Sequence, residues 1–199
     1  MPGVFSYLRT ESGIRHPASG AQRYGDIRRS IRNADLVTRL ALRDASDDDL
    51  DDCVRLWVDA CERREGVAHS GVDGRARVQF ADRIVWLVAD GPAGVQGFVL
   101  ATPPGTGRPS DPPGAAMVSL LGVSPDAQGT GLGRALLREV TARLAALGYE
   151  QAALHVLTDN TPAVRLYESE GWRPHGAPFM NELPRRESLS YTRRLGREP

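Results

Sequence analysis

Residues 117–133 read as an apolar run, MVSLLGV, then Ser-Pro-Asp-Ala, then QGTGLG, and a leucine-spaced segment follows at once. A strand that runs through a glycine loop into a helix gathers several backbone N–H groups at the helix N-terminus, and the glycines let an anion come close. The arrangement suits a diphosphate. The dinucleotide pattern G-x-G-x-x-G fails in both registers, because Arg134 and Leu136 stand where its last glycine or alanine belongs. The P-loop pattern also fails, since the chain contains no lysine. A plain glycine-rich strand-to-helix turn remains the bland alternative. A second constellation, Asn160-Thr-Pro-Ala-Val-Arg-Leu-Tyr167-Glu-Ser-Glu-Gly171-Trp172, lies one helix and one strand further on.

These residues need a scaffold, and the periodicity supplies one. Leu40 and Leu42 alternate with Arg39, Ala41 and Arg43 as a short strand. Ser46 with Asp49 opens a helix whose stripe is Leu50, Cys53, Val54, Trp57, Val58 and Cys61. Arg75–Arg83 reads as a short second helix carrying Val78, Phe80 and Ala81. Ile84–Ala89 and Val95–Ala101 form a hairpin across Asp-Gly-Pro-Ala-Gly. Residues 103–114, with five prolines and three glycines, read as an exposed loop. After Met117–Val123 come a helix closed by Gly148, the strand Gln151–Leu157, and a short helix with Pro162 in its first turn. Ala177–Leu183 and Leu189–Leu195 supply two further strands. The order implies an α/β fold with a mixed sheet and helices on both faces.

Gln128-x-x-Gly131-x-Gly133, preceded by Val123-Ser-Pro, resembles the Q/R-x-x-G-x-G/A signature of the GNAT superfamily of acyl-CoA N-acyltransferases. The Asn160–Trp172 segment resembles that family's second motif, N-x-x-A-x-x-x-Y-x-x-x-G-F/W, in the expected order. The resemblance covers roughly residues 38–195 and implies a GNAT-like, mostly antiparallel central sheet of six to seven strands. Residues 38–199 are then an N-acetyltransferase domain, and residues 1–37 a polar, arginine-rich leader with one short helix near Tyr24–Ala34.

The resemblance implies acetyl-CoA as cofactor, with the main chain of Leu121, Gly122 and Val123 on pantetheine. The cradle of Gln128, Gly129, Thr130, Gly131, Leu132, Gly133 and Arg134 would hold the pyrophosphate, and the Arg134 side chain is either a further phosphate partner or merely solvated. Gly122 fits a close approach or a packing contact equally. Asn160 matches the family position that contacts the cofactor, and a helix cap is compatible with that. Tyr167 matches the tyrosine that protonates the departing thiolate; otherwise it is a core aromatic. A phenol of pKa about 10 can donate to a thiolate whose acid has pKa about 8.5 without being ionised itself.

The implied reaction is direct attack of a primary amine on acetyl-CoA, with a small molecule favoured over a protein N-terminus or lysine as acceptor. A non-catalytic acyl-CoA-binding or sensing module is the alternative. The general base is not identified, because Met117–Val123 carries no Asp, Glu or His. His155 on the next strand, and Asp59, Glu62 and Glu65 beside the first helical stripe, are candidates, although a strand histidine more often packs or meets solvent and a solvated charged face is the favoured reading of the three acids. His69 and His175 fall in segments read as loops.

Composition agrees with a soluble enzyme. The 199 residues are 41% hydrophobic and 25% charged, and the formal net charge is zero. With 25 positive residues, all arginine, lysine Schiff-base chemistry is excluded. A neutral chain speaks against nucleic acid as partner. Residues 1–38 carry a net charge of +3, which fits a solvated leader or a weak docking arm for an acidic partner. Cys53 and Cys61 lie on one helix about 12 Å apart along its axis, too far for a disulfide. Reduced thiols, and no apolar run of membrane or signal-peptide type, point to the cytoplasm with no membrane partner. No metal site is visible, and a homodimer is compatible with the resemblance.

Overall fold

The computed structural model describes residues 41–66, 70–92, 94–181 and 185–196. The expected leader, its helix near Tyr24–Ala34, Arg39 and Leu40 at the start of the first strand, and His69 lie outside them. In chain order the elements are β1 (Ala41–Asp44), α1 (Leu50–Glu65), α2 (Val72–Ala81), β2 (Val85–Gly91), β3 (Gly94–Thr102), β4 (Ala116–Val123), α3 (Leu132–Ala146), β5 (Gln151–Leu157), α4 (Thr161–Ser169), β6 (Arg173–Met180) and β7 (Glu187–Arg194). The strands form one seven-stranded sheet in the order β1-β2-β3-β4-β5-β7-β6. Every neighbouring pair is antiparallel except β4–β5. This is the mixed, mostly antiparallel α/β sheet that the motifs imply.

Both faces of the sheet are covered, which is why β2 and β3 are apolar at consecutive positions and not only at alternate ones. Val85, Leu87, Ala89, Val99 and Ala101 meet the α3 stripe of Leu132, Leu136, Leu137, Val140 and Leu144. Trp86, Val88, Phe98 and Leu100 meet Cys53 and Val54 of α1 and Ala76 and Phe80 of α2. The start of α1 is fixed by charge. The Arg43 guanidinium grips both oxygens of Asp49 at 2.8 Å, and the Ser46 N–H donates to the same carboxylate at 2.8 Å. Arg43 thereby holds the Asp49 carboxyl, against its partial burial, down from its ordinary 3.8 to about 2. Cys53 and Cys61 are buried free thiols on α1, both pushed upward by desolvation.

Two expected boundaries move. The second helix spans 72–81 and not 75–83; its buried face is Ala76 and Phe80, four apart, and Val78 is 66% exposed. β6 begins at Arg173, four residues before the expected Ala177, and carries His175, which reads as a loop residue in the sequence. Pro174, Gly176 and Pro178 mimic a loop, but β6 is the outer edge of the sheet, where proline is tolerated.

Gly122 has a packing reason to be glycine. A Cβ there would stand 2.6 Å from Phe98 Cε1 and 2.7 Å from Leu56 Cδ2, so the packing of α1 on the sheet demands glycine. A Cβ at Gly133 would make only ordinary contacts, at 3.5 and 3.6 Å. Gly122→Ala should therefore cost about 1–3 kcal/mol through overpacking, whereas Gly133→Ala should be neutral or slightly stabilising in urea denaturation. Equal midpoints for the two variants would refute this account. The Asp49 carboxyl, lowered on folding, adds stability above its ordinary 3.8 that is lost as pH falls through about 2. Asp49→Asn should lower the urea midpoint at pH 7, and the gap from wild type should close near pH 2.

Candidate active site

β4 and β5 pair only at Ala116–Ala152 and Met117–Ala153 and then part. On its other side β4 stays paired with β3 to the end, Leu121 with Val99, Gly122 with Phe98 and Val123 with Gly97. An extra residue in β4, Ser119, interrupts that ladder between the pairs Leu100–Leu120 and Ala101–Val118 and bends the strand near the point of parting. The Ser119 and Thr102 hydroxyls share a hydrogen bond of 2.6 Å. Backbone groups alternate in direction along a strand, so every second residue of the outer half of β4 turns its N–H and C=O toward the gap. An extended polar chain can complete that edge.

The gap opens into a groove of about 900 Å³. At one end stands the glycine loop. Gly129 (φ +73°) and Gly131 (φ +97°) adopt the left-handed conformation that turns β4 into α3. The Gln128 side chain donates to the Val123 carbonyl at 3.3 Å, and Thr130 donates to the Ala127 carbonyl at 2.6 Å. Gln128, Gly129, Gly131, Gly133 and Arg134 line the groove, as do Leu121, Gly122 and Val123. Thr130 and Leu132 do not: the Thr130 hydroxyl ties the turn together, and Leu132 is buried in the core. The first turn of α3 points amide donors and the positive end of its dipole at the groove.

The Arg134 side chain, 48% exposed at the groove, is held by a carboxylate. Its Nε lies 2.8 Å from Glu170, which also binds Arg138 at 2.6 Å. The Arg138 bond, helped by Arg134, holds the Glu170 carboxyl below its ordinary range and ties α3 to the end of α4. Asn160 stands at the head of α4 and lines the groove, and its carboxamide makes no cap bond. Tyr167 also lines the groove, 8% exposed, packed at 6.2 Å on Trp172 and 6.5 Å on Tyr191. Burial pushes its phenol up to about 12.

The far end of the groove holds residues that sequence reasoning missed or left open. His155 faces the groove, and its Nε2 lies 2.9 and 3.0 Å from the two oxygens of Asp111. Asp111 belongs to the proline-rich segment 103–114, which is not simply an exposed loop, because this one carboxylate is tucked against β5 and β7. Glu65, at the end of α1, is paired at 2.7 Å with Arg64 and at 2.8 Å with Arg186. Burial would raise its carboxyl, but the two guanidinium groups outweigh this and hold it below the usual range. Asp59 lines an adjoining depression of about 600 Å³, and Glu62 lines neither space.

Comparison with known proteins follows this geometry. The family model described as acetyltransferase (GNAT) family matches residues 50–172. A segment of 73 residues is 48% identical to a mycothiol acetyltransferase of Geodermatophilus obscurus, covering 37% of this chain and 23% of that protein. Over 55 residues the chain is 51% identical to a mycothiol acetyltransferase of Thermobispora bispora, covering 28% of this chain and 19% of that protein. The matched segments thus span about a fifth to a quarter of those relatives. Among solved structures, a phosphinothricin acetyltransferase from Sinorhizobium meliloti in complex with AcCoA superposes with TM-score 0.63 at 21% identity, covering 79% of this chain and 89% of that one. The ribosomal-protein-S18-alanine N-acetyltransferase from Escherichia coli gives 0.61 at 20% identity, covering 80% and 96%. The structures establish the fold, and the family match runs from the head of α1 through the glycine loop and Tyr167 to Trp172: the chain belongs to the acetyltransferase (GNAT) family.

Proposed function

We propose that residues 38–199 transfer an acetyl group from acetyl-CoA to a primary amine by direct attack, with Tyr167 assisting the departing thiol. The observation that supports this most is the open edge of β4, which leads to the glycine loop at one end and passes Tyr167. Acetyl-CoA, when bound, supplies the acetyl group as a thioester. Leu121, Gly122 and Val123 offer main-chain partners to its pantetheine arm. Gln128, Gly129, Gly131, Gly133 and the amide of Arg134 would hold the phosphates, with Thr130 and Leu132 shaping the loop from behind, and Asn160 has a carboxamide free to reach the same ligand.

The raised pKa of Tyr167 keeps its phenol protonated across the neutral range. Transfer of its proton outright to a thiolate whose acid has pKa about 8.5 is uphill, so its main contribution is a hydrogen bond to the sulfur as the C–S bond breaks. The names of the relatives, mycothiol, phosphinothricin and ribosomal-protein-S18-alanine acetyltransferases, do not choose an acceptor. The groove favours a small polar amine, because ion pairs of Glu65 with Arg64 and Arg186 wall its far end.

Calorimetric titration with acetyl-CoA, with NAD as control, tests the cofactor half; micromolar binding of acetyl-CoA alone is expected, and its absence in folded protein overturns the reading. Tyr167→Phe should lower kcat for thiol release about 10²-fold with acetyl-CoA affinity retained. A protein that binds acetyl-CoA yet releases no thiol with any amine is a sensor and not a transferase. Asn160→Ala should weaken acetyl-CoA binding about tenfold. Its melting temperature should stay near wild type, because the side chain caps nothing.

A further inference from the structure

We propose that His155 is the base that takes the proton of the acceptor amine, with Asp111 as its positioning residue. The proposal rests on the acetyltransferase reading above and names the group that completes it. His155 lies two residues beyond Ala153, the last residue of β5 paired with β4, and so stands where the groove begins to open. Ala153 packs with Ala115 and Met117, whereas Leu154 and Val156 on the opposite face join the α3 core to which Tyr167 also belongs. Side chains alternate along a strand, so His155 and Tyr167 reach the one groove from opposite faces of the sheet. A thiol that leaves toward one face and an amine that enters from the other require that separation.

The ring is held in one tautomer. Asp111 is bound by the Ser190 hydroxyl at 2.8 Å and the Arg108 N–H at 2.6 Å, and its side chain is 6% exposed. Burial would raise this carboxyl, but the Arg108 N–H, His155 and Ser190 together hold it below its ordinary range. An ionised carboxylate only accepts, so Nε2 carries the hydrogen and the lone pair falls on Nδ1, which has no protein partner among the described residues. Phe179 meets the ring edge-on at 5.1 Å, and the Arg108 guanidinium covers Phe179 at 3.9 Å. The remaining ionisable groups on the groove serve poorly. Glu65 is neutralised by Arg64 and Arg186, Arg75 is a guanidinium, Cys61 is a thiol raised by burial, and Tyr167 is a donor on the other face.

In the step itself the amine nitrogen bonds to the acetyl carbon, the C–S bond breaks, and the electron pair leaves on sulfur. The proton lost by nitrogen goes to Nδ1 of His155. The imidazolium faces the Asp111 carboxylate until it returns the proton to solvent, from which the thiolate is protonated. No other reactant is needed.

The test is free-thiol release from acetyl-CoA with ethanolamine, glucosamine, spermidine and an alanyl peptide, recorded against pH. His155→Gln should bind acetyl-CoA within about twofold of wild type, lose about 10²–10⁴-fold in kcat/KM, and lose the acid limb of its pH profile. Free imidazole should restore part of the activity of His155→Ala. Asp111→Asn should lower kcat with acetyl-CoA binding retained and should add no further loss to His155→Gln, a coupling that a purely structural tether of segment 103–114 would not produce. A His155→Gln protein with the wild-type rate and acid limb overturns the proposal while leaving the transferase reading intact. Wild-type protein that binds no acetyl-CoA, or releases thiol with no amine, overturns the transferase reading and this proposal with it. Should the variants fail to fold, carbethoxylation of His155 in wild type, located by peptide mass, must abolish thiol release and spare acetyl-CoA binding; retained release refutes the assignment.

Discussion

The structure depends on how briefly β4 and β5 touch. Two residue pairs join them at the start of the crossover, after which the backbone of β4 is committed to β3 alone. Full pairing would satisfy the edge of β4 internally and leave no groove. The bulge at Ser119 bends the strand near the parting, while α3 packs beneath β2, β3 and β4 and keeps the exposed edge from collapsing. The groove is therefore an interruption of the sheet, maintained by a core that continues on both sides of it.

The chemistry is distributed accordingly. The glycine loop and the first turn of α3 bring backbone donors to the groove, and the proposed anion recognition by them needs no cationic side chain in direct contact. That matters here because Arg134 is already bound to Glu170, with Arg138 on the same carboxylate. These arginines brace α3 against α4 and so set how far the loop stands from Asn160 and Tyr167. Ion pairs hold the frame, and the glycine loop lines the groove.

Much of this was legible in the sequence, and the missing parts share a cause. Gly131 and Gly133 carry local geometry, so the loop follows from its residues, and Asn160, Tyr167 and Trp172 are picked out by the motif they resemble. The partner of His155 does not, because Asp111 lies 44 residues away, inside a segment whose prolines and glycines say only that no helix or inner strand can form. Nor does the start of β6, where Pro174 and Pro178 look like breakers until the strand is known to be an edge. The bulge at Ser119 has no residue signature in a run as apolar as MVSLLGV. Local rules located the backbone that lines the groove; only tertiary pairing located the ion pairs and the partner of the imidazole.

The short β4–β5 pairing also makes the sheet two slabs, β1 to β4 and β5 to β6, joined at a seam. A molecule laid along the open edge acts as a guest strand and stitches that seam. Cohesion between the slabs then becomes a function of ligand concentration, because whatever binds the folded form alone stabilises it by mass action. Breathing at the seam, read as amide exchange in the outer half of β4, would be the physical gauge of how often the guest is present.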